Sequence, residues 1–174
     1  MSTLATRRAY IGLGSNLDDP AAQVRHALRA LDDLPGTRRV AASRLYRNPP
    51  MGPQDQPDYV NAVAALDTSL AAEALLSELQ GLERAQGRVR GGQRWGPRRI
   101  DLDLLVYDTA RIDRPGLAVP HPGIAERAFV LVPLAEIAPA LDIPGHGPIV
   151  DLLARVDAHA VVALDAAPST PPSQ

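Results

Sequence analysis

The chain contains no cysteine and no lysine. The first absence excludes disulfides and thiolate metal sites. The second excludes a P-loop, whose lysine reaches the nucleotide phosphates. No apolar run approaches the roughly 20 residues of a membrane-spanning helix. The opening MSTLATRR also lacks the apolar segment of a signal peptide. We therefore expect a cytoplasmic protein with no membrane contact. A net charge of −2 argues against general nucleic-acid or membrane-surface binding. Aromatic residues are scarce too, with Trp95 and Phe129 the sole tryptophan and phenylalanine. Each is either a core anchor or a ligand-stacking group.

What is present has an ordinary globular balance. Hydrophobic residues make up 45% of 174 and charged residues 22%, enough for one domain with a real core. That domain is expected over residues 1–158, with a disordered tail over 159–174. AYIGLGSN (9–16) reads as a first strand. Asp19 at the N-cap and Pro20 at N1 start a helix, Val24, Leu28 and Leu31 repeat at helical spacing, and Gly36 closes it. Residues 38–47 read as a second strand and 48–57 as a loop with four prolines. Residues 58–67 form a third strand, with Tyr59, Asn61, Val63 and Ala65 on one face. Residues 70–87 make a second helix, Leu75, Leu79 and Leu82 its buried stripe, Gln80 and Glu83 on another face. Gly87 to Pro97 is an arginine- and glycine-rich loop, leading into a strand that begins RRIDLDLLVYD at Arg98.

The order strand, helix, strand, strand, helix, strand is the split βαβ arrangement of a ferredoxin-like fold. The fold class is thus α+β, an antiparallel sheet with helices packed on it and C-terminal additions. Those additions read as a short strand with turns, then two short helices over 128–138 and 149–156. Pro133 fits the first of these only near its start or at a kink.

The strand after Arg99 carries two carboxylates, Asp101 and Asp103. Alternation places both on one face, with Ile100, Leu102, Leu104 and Val106 in the core behind. A hard divalent cation would relieve the repulsion between them, and Mg²⁺ commonly takes one or two carboxylates plus substrate phosphates. A structural ion-pair network with Arg98 and Arg99 fits the same pair. Just upstream, residues 84–99 hold Arg84, Arg88, Arg90, Arg94, Arg98 and Arg99 without one acid. Guanidinium groups suit phosphate oxygens, and an arginine loop running into a carboxylate pair suits phosphoryl transfer from a nucleotide. Tyr59 and Asn61, two apart on a strand, offer an aromatic plane and an amide to a flat heterocycle. His121, between two prolines, stands too isolated to assign on chemistry alone. GLGSN resembles a glycine-rich phosphate loop only superficially, since it lacks the third glycine and the βαβ context.

Five ordered stretches, YIGLGSNL, YRNPPMGPQDQPDYVNAV, LERAQGRVR, RWGPRRIDLDLL and VPHPGIAERAFVLVPLAEIAP, carry a resemblance. Over residues 10–156 the chain resembles the 6-hydroxymethyl-7,8-dihydropterin pyrophosphokinase family. The resemblance implies transfer of pyrophosphate from ATP to the pterin hydroxymethyl group, with AMP leaving, as a step of folate biosynthesis. Asp101 and Asp103 would hold two Mg²⁺ ions, and Arg88 and Arg98 would assist the transfer. Tyr59 and Phe129 would hold the pterin between them and Asn61 would read its edge, with Asn48, Met51, Trp95 and Asp101 also on the pterin side. Gln80, Glu83, Arg90, Arg98, Leu104, His121 and Arg127 would line the nucleotide site. The implied partners are ATP and the reduced pterin, bound by a monomer.

Three positions depart from the familiar bacterial pattern: Asn48 for threonine, Gly91 for lysine and Pro122 for tyrosine. Two other readings share the paired aspartates or the fold. A Mg²⁺-dependent nucleotidyl transferase or cyclase would release pyrophosphate, and a ligand-sensing module would show no pterin-dependent turnover.

Overall fold

Alternation along the first strand decides which side of the sheet each helix covers. In the computed structural model, which describes residues 5–17, 19–50, 57–87 and 100–164, that strand is β1 (Arg7–Ser15). Ala9, Ile11 and Leu13 enter one apolar cluster, while Tyr10 enters a second on the opposite face. The chain continues through α1 (Pro20–Leu31), β2 (Thr37–Ala42), β3 (Tyr46–Asn48), β4 (Tyr59–Thr68), α2 (Ala72–Gly87) and β5 (Asp101–Tyr107). The order β3-β4-β1-β5, with β2 also against β4, is the ferredoxin-like one. All these pairings are antiparallel.

The helices of the split units cover one face. Asp19 caps α1 through its side chain, which accepts from the Ala22 N–H at 3.3 Å, and Pro20 opens the helix. Val24, Ala27, Leu28 and Leu31 then point inward at helical spacing. From α2, Leu75 and Leu79 join the same cluster, each burial worth roughly 1.5–3 kcal/mol. Leu82 packs on it only partly buried.

The second face is covered by the later C-terminal additions, from Ile124 onward, whereas Leu117 and Val119 of the preceding hairpin join the first cluster. A hairpin of β6 (Ile112–Arg114) and β7 (Leu117–Val119) is followed by a 3₁₀ turn (Ile124–Glu126) and α3 (Ala128–Ile137). Then come β8 (Asp142–Ile143), β9 (Gly147–Pro148), α4 (Ile149–Leu153) and β10 (Val162–Ala163). Val130, Leu131 and Leu134 of α3 pack on Tyr10, Val63, Ala65 and Leu105. Among the described residues, no helix is long and apolar enough to cross a membrane.

Three local expectations are corrected and one is narrowed. The strand expected over 38–47 is two, β2 and β3, because Ser43 meets Val63 N–H through its hydroxyl and Arg44 N–H turns away to Glu136 of α3. Val106 does not share a face with Ile100, Leu102 and Leu104. Tyr10 pairs with Val106 but Ile11 with Leu104, so Leu105 is an extra residue that shifts the alternation. Of the two places expected for Pro133, the start of α3 is excluded: it sits inside the helix, where the Phe129 carbonyl forgoes its α-helical donor. Finally, the ordered domain runs past residue 158, since Val162–Ala163 pairs with β3 at Tyr46 and Arg47.

Candidate active site

The face of the sheet that α3 leaves open is organised by β1. Its central position puts Gly14 between Asn61 of β4 and Asp101 of β5, and Gly12 between Val63 and Asp103. Two glycines two apart on a strand leave a strip of bare backbone between the flanking side chains. A Cβ on Gly14 would stand 2.6 Å from Asn61 Oδ1, so no larger residue fits there without moving that amide. Gly12 to Gly14 is therefore the floor of a cleft. The signal for it lay in the alternation of glycine with buried Ile11 and Leu13 within a strand.

Asp101 and Asp103 emerge half-buried from β5 on this same face. They line two clefts at once. The first, about 230 Å³, is bounded by Gly12, Gly14, Asn48, Tyr59, Asn61, Arg127 and Phe129. The second, about 440 Å³, is bounded by Gln80, Glu83, Leu104, Gly116, Ala118, His121 and Pro122. The aspartate pair is the wall they share.

β5 is an edge strand, and its outer side would leave backbone groups without partners. Glu83 of α2 accepts from the Leu102 N–H at 2.7 Å, between the two aspartates. The His121 N–H donates to the Leu105 carbonyl at 2.9 Å. Two residues expected to line a nucleotide site thus also hold the strand that carries the carboxylates. His121 Nδ1 accepts from the Gly123 N–H at 3.2 Å, which leaves Nε2 as the protonated nitrogen of a neutral ring. Burial pushes its pKa below the ordinary imidazole value, Arg127 adds to that, and Asp103 opposes it.

The first cleft is lined by two aromatics, Tyr59 from β4 and Phe129 from α3, with the Arg127 guanidinium 5.9 Å from the Phe129 ring centre. Arg127, expected with the nucleotide, lines this cleft. Asn48 and Asn61 meet in its wall, Asn61 Nδ2 donating to Asn48 Oδ1 at 2.5 Å. A part-buried Glu136–Tyr46 contact, with Tyr46 donating at 2.5 Å, ties α3 to β3 and so sets Phe129 against the strands that carry Asn48 and Tyr59. Burial, reinforced by Glu136, pushes the Tyr46 phenol up. Sequence reasoning missed Gly12, Gly14, Gly116, Ala118, Tyr46 and Glu136. Met51, Arg88, Arg90, Trp95 and Arg98 lie outside the described residues.

The pair suits a hard cation of limited protein ligation. Among the described residues, no group of three or more His, Cys, Asp or Glu is arranged to hold a metal. Two carboxylates on one face leave the rest of an octahedral shell to water and ligand oxygens, as Mg²⁺ prefers.

An α+β fold with paired strand carboxylates between two clefts defines a phosphoryl-transfer class of site. Residues 10–139 match the family described as 7,8-dihydro-6-hydroxymethylpterin-pyrophosphokinase (HPPK). The chain is 52% identical over 148 residues to the 2-amino-4-hydroxy-6-hydroxymethyldihydropteridine pyrophosphokinase of Pseudomonas aeruginosa, covering 85% of this chain and 91% of that protein. It is 46% identical over 157 residues to the protein of the same name from Haemophilus influenzae, covering 90% and 98%. In fold it is similar to wild-type Plasmodium falciparum HPPK-DHPS solved with pteroate. The TM-score is 0.70 at 13% identity, over 89% of this chain and 43% of that one. The chain belongs to the HPPK family.

Proposed function

We propose that the protein transfers pyrophosphate from ATP to the hydroxymethyl oxygen of 6-hydroxymethyl-7,8-dihydropterin. The single observation that carries this reading is the aspartate pair shared by two clefts. One cleft has the aromatic walls and amide that suit a flat heterocycle, the other a more open, polar lining that suits a triphosphate. The pterin oxygen attacks the β-phosphorus, the bond from that phosphorus to the oxygen of the α-phosphate breaks, and AMP leaves with that oxygen.

Asp101 and Asp103 would hold Mg²⁺, two ions in this proposal. Bound there, the metal supplies charge neutralisation and in-line orientation of the phosphates. The protein's own groups do the rest. Tyr59 and Phe129 align the ring, Asn61 reads its edge, and the neutral His121 offers an Nε2 donor on the nucleotide side. Arg88 and Arg98 belong to the proposal as phosphate partners, Arg90 and Trp95 as nucleotide and pterin contacts, and Met51 as a pterin contact. Catalysis then rests on alignment and electrostatics rather than on a strong base. The reading includes a monomeric, cytoplasmic enzyme.

The test is ATP turnover by purified protein, titrated separately with the reduced pterin and with Mg²⁺. Consumption of ATP that requires both is expected. Turnover indifferent to the pterin, or undiminished when Mg²⁺ is chelated, contradicts the reading.

A further inference from the structure

We infer that Asn48 is a positioning residue that fixes which end of the Asn61 amide faces the first cleft. The inference rests on the pterin reading of that cleft and deepens it. A carboxamide has a donor end and an acceptor end of nearly the same shape, so its neighbours decide which faces where. The deciding neighbour is the carbonyl of Pro49, which can only accept. Asn48 Nδ2 donates to it at 3.1 Å. Asn48 therefore turns Oδ1 toward Asn61, and Asn61 answers with Nδ2 at 2.5 Å. Asn61 Oδ1 is left on the other side, over Gly14, where a Cβ on that glycine would stand 2.6 Å from it.

Burial makes this relay one of fixed polarity. Asn48 and Asn61 are only 5% and 8% exposed, so water cannot readily replace a lost partner. Turning either amide alone would set donor against donor or acceptor against acceptor. Turning both would set Asn48 Oδ1 against the Pro49 carbonyl oxygen. The cleft thus presents an acceptor above the glycine floor, and a ligand edge meeting it must donate. The 2-amino and N3–H edge of a pterin does so. Asn48 need not touch the ligand to impose that requirement.

The test uses the full chain, ¹⁵N-labelled, with the Asn61 side-chain signals assigned by their loss in Asn61→Asp. In free wild-type protein one Asn61 amide proton should be shifted downfield and protected from solvent exchange. Asn48→Ala should speed that exchange at least tenfold. Asn48→Asp keeps an acceptor oxygen toward Asn61 but sets its other oxygen against the Pro49 carbonyl, so its exchange should fall between wild type and Asn48→Ala. In turnover, Asn48→Ala should raise KM for the pterin at least fivefold, with kcat changing less. An Asn61 amide as protected in Asn48→Ala as in wild type overturns the inference, and so does a loss confined to kcat. Wild-type protein with the protected amide but no affinity for the pterin would overturn the pterin reading and support the polarity lock.

Discussion

A methyl group added at Gly14 would stand 2.6 Å from Asn61 Oδ1, closer than a carbon and an oxygen approach without bonding. Gly14→Ala is accordingly expected to push the amide aside and raise KM for the pterin about tenfold, a loss of about 1.4 kcal/mol. Steady-state kinetics with saturating ATP checks this, and an unchanged KM would mean that the floor does not touch the substrate. The aspartates carry a different expectation. Asp101→Ala and Asp103→Ala should each cost turnover at least about 100-fold, because each removes an anchor for charge developing on phosphate. Both side chains are half-buried at a cleft wall rather than packed in the core, so thermal denaturation should show little loss of stability. A large fall in melting temperature would identify the pair as structural. These carboxylates were legible in the sequence because alternation along a strand puts positions two apart on one face. In sequence Gly12 and Gly14 resemble only a poor phosphate loop, since a glycine pair says nothing of its role until its neighbours across the sheet are known.

At the scale of elements, the edge of β5 decides how firmly the carboxylates are held. Glu83 reaches across from α2 to the Leu102 N–H, and the chain after β7 reaches the Leu105 carbonyl through His121. Glu83→Ala would leave a partly buried N–H without its acceptor, at a cost of about 1–3 kcal/mol. Glu83→Gln keeps an acceptor oxygen and should recover most of that. Urea denaturation of the two variants separates them, and equal stability would show that the contact contributes nothing. Most elements could be read directly: the capped α1, the leucine stripe of α2 and the alternation of β4 each rest on local pattern. The exceptions share a cause. The break between β2 and β3 depends on Glu136, which lies 92 residues away from Arg44, and the extra residue Leu105 depends on register with β1. β10 is only two residues long and is defined by pairing with β3 rather than by its own sequence. Long-range partners of this kind leave no local pattern to find.

Across the whole molecule, the groups whose pKa values are lowered on folding favour the folded state above the acid range. His121 has its pKa lowered by burial, and hydrogen bonds from Arg39 and Arg8 lower Asp32 and Asp67. A group whose pKa is lowered on folding binds protons more tightly when unfolded. Its stabilisation is therefore present above its ordinary pKa and lost as pH falls through the folded value. Stability of the metal-free protein should begin to fall below about pH 6.5 through His121, and further below about pH 3.9 through the aspartates. His121→Gln should flatten the first of these declines in urea titrations. Stability that rises on acidification from pH 7 to 5 would contradict the assignment. The same architecture that half-buries His121 also sets two clefts against one pair of carboxylates. Phosphorus NMR of a single reaction containing the protein, ATP, Mg²⁺ and 6-hydroxymethyl-7,8-dihydropterin tests that sharing most directly. AMP and a diphosphate ester on the pterin should form in equal amounts. ADP with a pterin monophosphate, or free pyrophosphate with an adenylated product, would contradict it.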